Sequence, residues 1–276
     1  MARAGSVPWP QWITLLLCLA GTFTVAAGAA PRWPAGSASL PPVITHGPAE
    51  LPRIALTFDS NMTDLMLRRL DTGQVRSYAN VRVIDELQRT HTPATFFLAG
   101  KWVQRYPELT RRIAADPTFE LGSHSYAHLG FTDHCYQLGI LPTDQMAADV
   151  ERSFQVLAHF GGRQTRYFRF PGGCYDNRAL RAIAPVGCTV VQYDIVSHDA
   201  FNNDGTAIIH DVLSGAHNGG IVVLHVTEAN APRTADALGP IITGLRARGY
   251  QLVTLSELLG PTGSGGSAEA SPPHRS

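Results

Sequence analysis

"RIALTFDSNMT", residues 53–63, decides how the rest of the chain is read. Ile54, Ala55, Leu56 and Phe58, with Thr57 among them, form an apolar run of strand length that stops at Asp59. Such an uninterrupted run marks a strand covered on both faces, as in a parallel sheet flanked by helices. A carboxylate at its mouth, followed by Ser60 and Asn61, makes the strand end a place for chemistry rather than packing.

Outward from this stretch, strand-like and helix-like segments alternate. After a long polar stretch to Asn80, "VRVIDELQRT" places Val81, Ile84 and Leu87 at helical spacing. "PATFFLAG" and "FELGSHS" read as strands around the helix "ELTRRIAAD". "PTDQMAADVERSFQVLAHFGG" opens on cap-type Thr143 and Asp144, closes on two glycines, and reads as a helix. The strands "RYFRFPGG", "TVVQYDIV", "GIVVLHV" and "QLVTL" follow, separated by the helices "NRALRAIA", "TAIIHDVLSGA" and "ADALGPIITGLRARG". About seven strands with crossover helices imply a parallel α/β sheet, either a closed or nearly closed barrel or an open doubly wound sheet. No Gly-rich phosphate fingerprint follows a strand, which weighs against a nucleotide site.

The chain has 276 residues, with 22 basic and 22 acidic side chains. This balance leaves no electrostatic footprint for nucleic acid. At the N-terminus Arg3 and the run "WITLLLCLAGTFTVAAGAA" have the anatomy of a secretory signal over residues 1–29, with an uncleaved membrane anchor as the alternative. The expectation is a secreted protein, outside the cell, in the periplasm or at the cell wall, with no stable membrane insertion after cleavage. Residues 30–51 read as a linker, 52–260 as the folded domain, and the low-complexity 261–276 as a disordered tail. Three cysteines remain beyond the signal, and Cys174–Cys188 is the expected pair, pinning a loop to a neighbouring strand.

Polar residues recur where the strands end. Asp59 closes the first, "HSYAH" supplies His124 and His128, "RFPGG" supplies Arg169, "SHDAF" supplies Asp199, and "IVVLHV" contains His225. Each has an ordinary reading. A lone His is usually filler, Arg169 suits a structural ion pair, and Asp199 suits a cap. Two His separated by three residues can share one helical face, as a metal requires. His225 in an apolar run needs a compensating partner. Together at one rim of a parallel barrel, they point to a site.

In this order the motifs resemble the polysaccharide deacetylase family, carbohydrate esterase family four, over roughly residues 53–258. "HSYAH" matches its H-[ST]-x-x-H metal motif, "RFPGG" its R-x-P-x-G motif, and "VVLH" its Leu-His motif. The resemblance implies a distorted, complete or incomplete (β/α) barrel that removes acetyl groups from an acetylated glycan. It implies a divalent metal, usually zinc, on His124 and His128. Asp59 would deprotonate the attacking water, and His225 would protonate the leaving nitrogen. Arg169 would orient Asp59, and Asp199 would orient His225 and raise its pKa. The loop of Pro171 and Gly172 would supply an oxyanion N–H.

Two positions depart from the family pattern. Ser60 stands where the family has a second Asp, the third metal ligand, so weaker metal binding is expected; Asp64, Asp133, His134 or Asp59 itself are the candidate replacements. Ala200 stands where many members have Trp, removing one wall of the groove. Tyr126 and Tyr175 are the expected groove aromatics, with Tyr78 on the long first loop as a further candidate. A glycan-binding protein on an impaired scaffold and a hydrolase of a non-sugar amide remain the alternatives.

Overall fold

Apart from Arg53 at its entrance, the strand Arg53–Asp59 (β2) is buried along its length. In the computed structural model, which describes Met1 and residues 40–260, β2 is an interior strand of one parallel sheet, paired with strands on both sides. The signal beyond Met1, the first part of the linker and the C-terminal tail read above lie outside the described residues.

The other strands are Val43–Ile44 (β1), Ala94–Leu98 (β3), Phe119–Ser123 (β4), Arg163–Phe168 (β5), Thr189–Val191 (β6), Ile195–Val196 (β7), Ile221–His225 (β8) and Gln251–Val253 (β9). They lie in the order β1-β6-β5-β4-β3-β2-β8-β7, with β9 on the entrance half of β2. The end strands β1 and β7 do not pair, so the sheet is a curled, open barrel. β1 falls within the stretch read as linker. "TVVQYDIV", read as one strand, is two. β6 pairs with β5 and β1, whereas β7 pairs with β8 at the opposite edge.

Gln192, Tyr193 and Asp194 carry the chain across that gap. The Gln192 N–H donates to the Ile44 carbonyl at 2.7 Å, and the Ile221 N–H donates to the Asp194 carboxylate at 2.9 Å. Backbone groups that an open edge would leave bare are thereby satisfied.

The helices are Asp64–Asp71 (α1), Val81–Arg89 (α2), Gly100–Arg105 (α3), Pro107–Ala115 (α4), Met146–Ala158 (α5), Asn177–Ile183 (α6), Gly205–Gly215 (α7), Thr234–Ala247 (α8) and Leu255–Leu259 (α9). Among the described residues no helix is long and apolar enough to cross a membrane. α1 begins in the stretch read as a polar loop, and Thr63 caps it by accepting from the Met66 N–H. Side chains that side with the helices include Ile54, Leu56 and Phe58 of β2, packed with Leu224 of β8 and Ile241 of α8. Ala55 packs instead with Phe97, Tyr167, Val191 and Ile221 inside the barrel. By the two-residue period of a strand, Thr57 and Asp59 share the inner side with Ala55, and Arg169 shares it with Tyr167. Parallel register sets the ends level: Asp59 pairs with His225 on β8 and with Phe97 on β3.

The disulfide joins Cys135 to Cys174, not Cys174 to Cys188. Cys174 follows the exit end of β5, beside the loop that leaves β4, whereas Cys188 precedes β6 at the opposite end of the strands. Cys188 is a free buried thiol packed with Phe168, Leu180 and Val190, and burial pushes its pKa up to about 11.

Gly122 on β4 is the residue that makes room inside. A Cβ there would stand 3.0 Å from both the Phe97 ring and the Tyr167 carbonyl oxygen. Gly122→Ala is therefore expected to destabilise the protein by about 1–3 kcal/mol through overpacking, read as a lowered Tm in thermal denaturation.

Candidate functional site

Arg169 is fully buried and organises the rim. Its Nη1 donates to Asp59 Oδ1 at 2.8 Å and to Thr57 Oγ1 at 2.7 Å. Its Nε and Nη2 donate to the carbonyls of Val191 and Gln192, and the guanidinium lies 4.1 Å from the Phe97 ring centroid. A buried guanidinium is tolerable because each of its three nitrogens donates a hydrogen bond and a carboxylate offsets its charge. The Arg169 carbonyl accepts from His124 Nδ1 at 2.9 Å. That bond puts the proton on Nδ1 and leaves Nε2 as a lone pair, 3.7 Å from Asp59 Oδ2.

His128 lies beside His124, with ring centroids 5.0 Å apart. The pair does not share a helical face. Residues 124–128 form a loop in which Ser125 and His128 both have positive φ, at 66° and 53°. Asp149 on α5 holds this strained turn, its carboxylate accepting from the N–H groups of Tyr126 (2.7 Å) and Ala127 (3.1 Å). The Ser125 hydroxyl accepts from the His128 N–H. Burial lowers both imidazole pKa values, well below the ordinary value for His128, where the neighbouring imidazoles add to it; for His124 the Asp59 charge opposes burial without reversing it.

The opposite side of the rim is built around Asp199. Its carboxylate accepts from His225 Nδ1 (2.7 Å), the His225 N–H (2.7 Å), the Thr234 hydroxyl (2.6 Å) and the Ser197 hydroxyl (3.0 Å). Burial disfavours a charged His225, but the charge and hydrogen bond of Asp199 outweigh it, and the pKa rises above 6.5. Burial likewise opposes the Asp199 carboxylate, and the charge and hydrogen bonds from His225, with the Thr234 hydroxyl, bring its pKa below 3.8.

Asp59, His124, His128 and Arg169 thus converge on one rim, and the Asp199–His225 pair adjoins them through the Asp59–His225 register. Gly172 lies on the loop that follows Arg169 with φ 66°, and a Cβ there would stand 2.7 Å from Cys135 Sγ. That close approach requires glycine.

Two of the three aromatic expectations, Tyr126 and Tyr78, need correction. The Tyr126 ring is buried, its hydroxyl donates to Gln104, and the Arg152 guanidinium covers its face at 3.6 Å. Tyr78 is a core residue whose carbonyl accepts from Trp102 Nε1. Tyr175 is half-buried, stacked on Phe170. Thr57, Asp149, Ser197 and Thr234 escaped sequence reading. Each is a common polar residue whose neighbours in sequence carry no sign of a distant partner.

An imidazole pair that is neutral by burial, with the His124 lone pair turned inward and His128 Nδ1 buried without a partner, fits a divalent cation as two of its ligands. Among the described residues no acidic or thiol side chain joins them as a third ligand. The Ser60 hydroxyl accepts from the Ala99 N–H at 3.0 Å, which ties β2 to the end of β3. Asp64 pairs with Lys101, Asp133 pairs with Arg178, and His134 is exposed. Among the described residues no group of three His, Cys, Asp or Glu side chains is placed to hold a metal.

An open parallel barrel with this rim defines a sugar-deacetylase type of scaffold. The polysaccharide deacetylase family matches residues 46–191, more than half of the chain, and the chain belongs to that family. It is 27% identical over 181 residues to the uncharacterised protein YlxY of Bacillus subtilis, covering 66% of this chain and 53%, about half, of that relative. It is 24% identical over 213 residues to a peptidoglycan-N-acetylglucosamine deacetylase of Bacillus cereus, covering 77% of this chain and 70% of the relative. A family-four pseudoenzyme of Bacillus anthracis superposes with a TM-score of 0.64 at 22% identity, over 80% of this chain and 69% of that one, a likeness of fold. A mutant of that protein, described as having restored enzymatic activity, superposes equally well, at 23% identity over 80% of this chain and 72% of the mutant.

Asp149→Ala removes two charge-assisted hydrogen bonds from the strained histidine turn, and a loss of about 3 kcal/mol is expected in denaturant titration. Asp199→Asn tests the His225 pair. His225 should titrate above 6.5 in the wild type and below it in the variant, by histidine NMR. The stabilisation carried by the raised His225 pKa is complete below about pH 6.5 and fades as pH climbs through the raised value, so the stability gap between the two proteins should narrow there.

Proposed function

We propose that the chain is an exported, metal-dependent deacetylase that hydrolyses the N-acetyl groups of a cell-wall glycan or related polysaccharide. One arrangement carries this reading. Asp59 and His225 occupy paired positions on adjacent strands, each backed by its own buried partner, Arg169 and Asp199. An acid and a base held apart in this way are what amide hydrolysis needs.

A divalent cation on His124 and His128 supplies, when bound, the Lewis acid that polarises the acetyl carbonyl. Asp59 takes a proton from the attacking water, its Oδ1 fixed by Arg169 and its Oδ2 directed toward the site. The Gly172 N–H stabilises the oxyanion, a contribution of about 10²–10³ in rate for such a donor. His225, charged and held through Nδ1 by Asp199, gives its Nε2 proton to the departing amine, releasing acetate and a free amino sugar. The peptidoglycan deacetylase relatives support the substrate class, and the N-terminal signal supports export.

A second reading is a glycan-binding protein on an impaired scaffold. The bond between Ser60 and Ala99 favours it, because the hydroxyl serves the backbone where an acidic ligand is expected. The Bacillus anthracis neighbour, which shares the fold, is itself described as a pseudoenzyme.

Purified protein with zinc, cobalt or manganese should release acetate from acetylated chito-oligomers or peptidoglycan, and His225→Ala should lose about 10²–10⁴ of that rate. Glycan binding without acetate release under any metal would favour the second reading instead. Ser60→Asp should tighten the cation, with at least a tenfold lower Kd by titration calorimetry.

A further inference from the structure

Tyr136 and Phe201 are exposed to 70% and 71%, and among the described residues they are the large aromatic side chains most open to solvent. Their ring centroids lie 5.3 Å apart at an interplanar angle of 33°. They come from different loops, one leaving β4 and the other following β7, so their meeting is tertiary rather than local.

Both loops belong to the rim. Tyr136 follows Cys135, whose disulfide to Cys174 fixes it beside the oxyanion loop, and a Cβ on Gly172 would stand 3.1 Å from the Tyr136 ring. Phe201 stands two residues beyond Asp199, and its N–H donates to the His198 carbonyl at 2.9 Å. The aromatic pair therefore spans from the proposed oxyanion donor to the residue that positions His225.

Two large rings left in water side by side lose the gain of burial, and an exposed apolar patch bordering a site marks where something docks. Tyr and Phe present rigid faces at low conformational cost, and the C–H face of a pyranose ring complements such a surface. Charge is not the attraction, since neither side chain carries any.

We propose that Tyr136 and Phe201 form a stacking platform for the sugar unit that flanks the acetylated one, so that the protein selects polymer over monosaccharide. Phe201, one position beyond Ala200, supplies one ring of the platform and Tyr136 the other. The disulfide holds the platform in place before substrate arrives. The proposal rests on the glycan-deacetylase reading.

The test compares wild type, Tyr136→Ala, Phe201→Ala, the double variant and Tyr136→Phe on chitopentaose and N-acetylglucosamine, with Tm recorded for each. The double variant should raise KM for chitopentaose about tenfold with kcat nearly unchanged. Turnover of the monosaccharide should stay within about twofold, and Tyr136→Phe should behave as wild type. An active wild type whose double variant keeps the same KM at unchanged Tm would overturn the platform alone. A wild type that releases no acetate would overturn the deacetylase reading, and direct chitopentaose binding by calorimetry then decides the platform. Binding weakened about tenfold in the double variant upholds it, and equal or absent binding in the wild type sinks it.

Discussion

The buried guanidinium of Arg169 is the interaction on which the rest depends. It joins the inner face of β2 through Thr57 and Asp59 to the carbonyls of Val191 and Gln192, where the chain leaves β6 to cross the open edge. Its own carbonyl fixes the tautomer of His124. One residue thus positions the proposed base, one imidazole and the seam of the barrel. Removing one partner of such a pair strands the other charge in the interior, at a cost of about 3–5 kcal/mol. Fold and site share this constraint, and neither can change much without the other.

Around that constraint the rim divides into two electrostatic halves. On one side burial keeps His124 and His128 neutral, the form that can donate lone pairs to a cation. On the other, Asp199 keeps His225 inclined to carry a proton. The same imidazole chemistry is tuned in opposite directions: burial lowers the pKa of His124, whereas at His225 the fourfold hydrogen-bonded carboxylate of Asp199 outweighs burial. The Ser60 hydroxyl accepts from the Ala99 N–H and joins β2 to the end of β3, so that position has a structural duty.

The loops divide between packing and exposure in a way their composition does not announce. Tyr78 and Tyr126 look like groove residues in the sequence but are consumed by packing, one against Trp102 and the other beneath Arg152. Tyr136 and Phe201, unremarked in the sequence, stay open. The disulfide from Cys135 to Cys174 ties two loops at the same end of the strands, close to the rim they shape.

The sequence alone determined the alternation of strands and helices, the parallel sheet, and the polar residues at the strand ends. Those features are local: a buried strand needs a continuous apolar run, and a charge at its mouth is conspicuous. It also carried the family likeness, because the motifs are short and ordered. Only the tertiary structure decided that the barrel stays open, that "TVVQYDIV" splits between two edges, and that Cys135 takes Cys174. It also revealed Thr57, Asp149 and Thr234 as supports of the site. Each of these depends on which distant residues the crossovers bring together, and a hydroxyl or carboxylate bears no local mark of the partner it will meet.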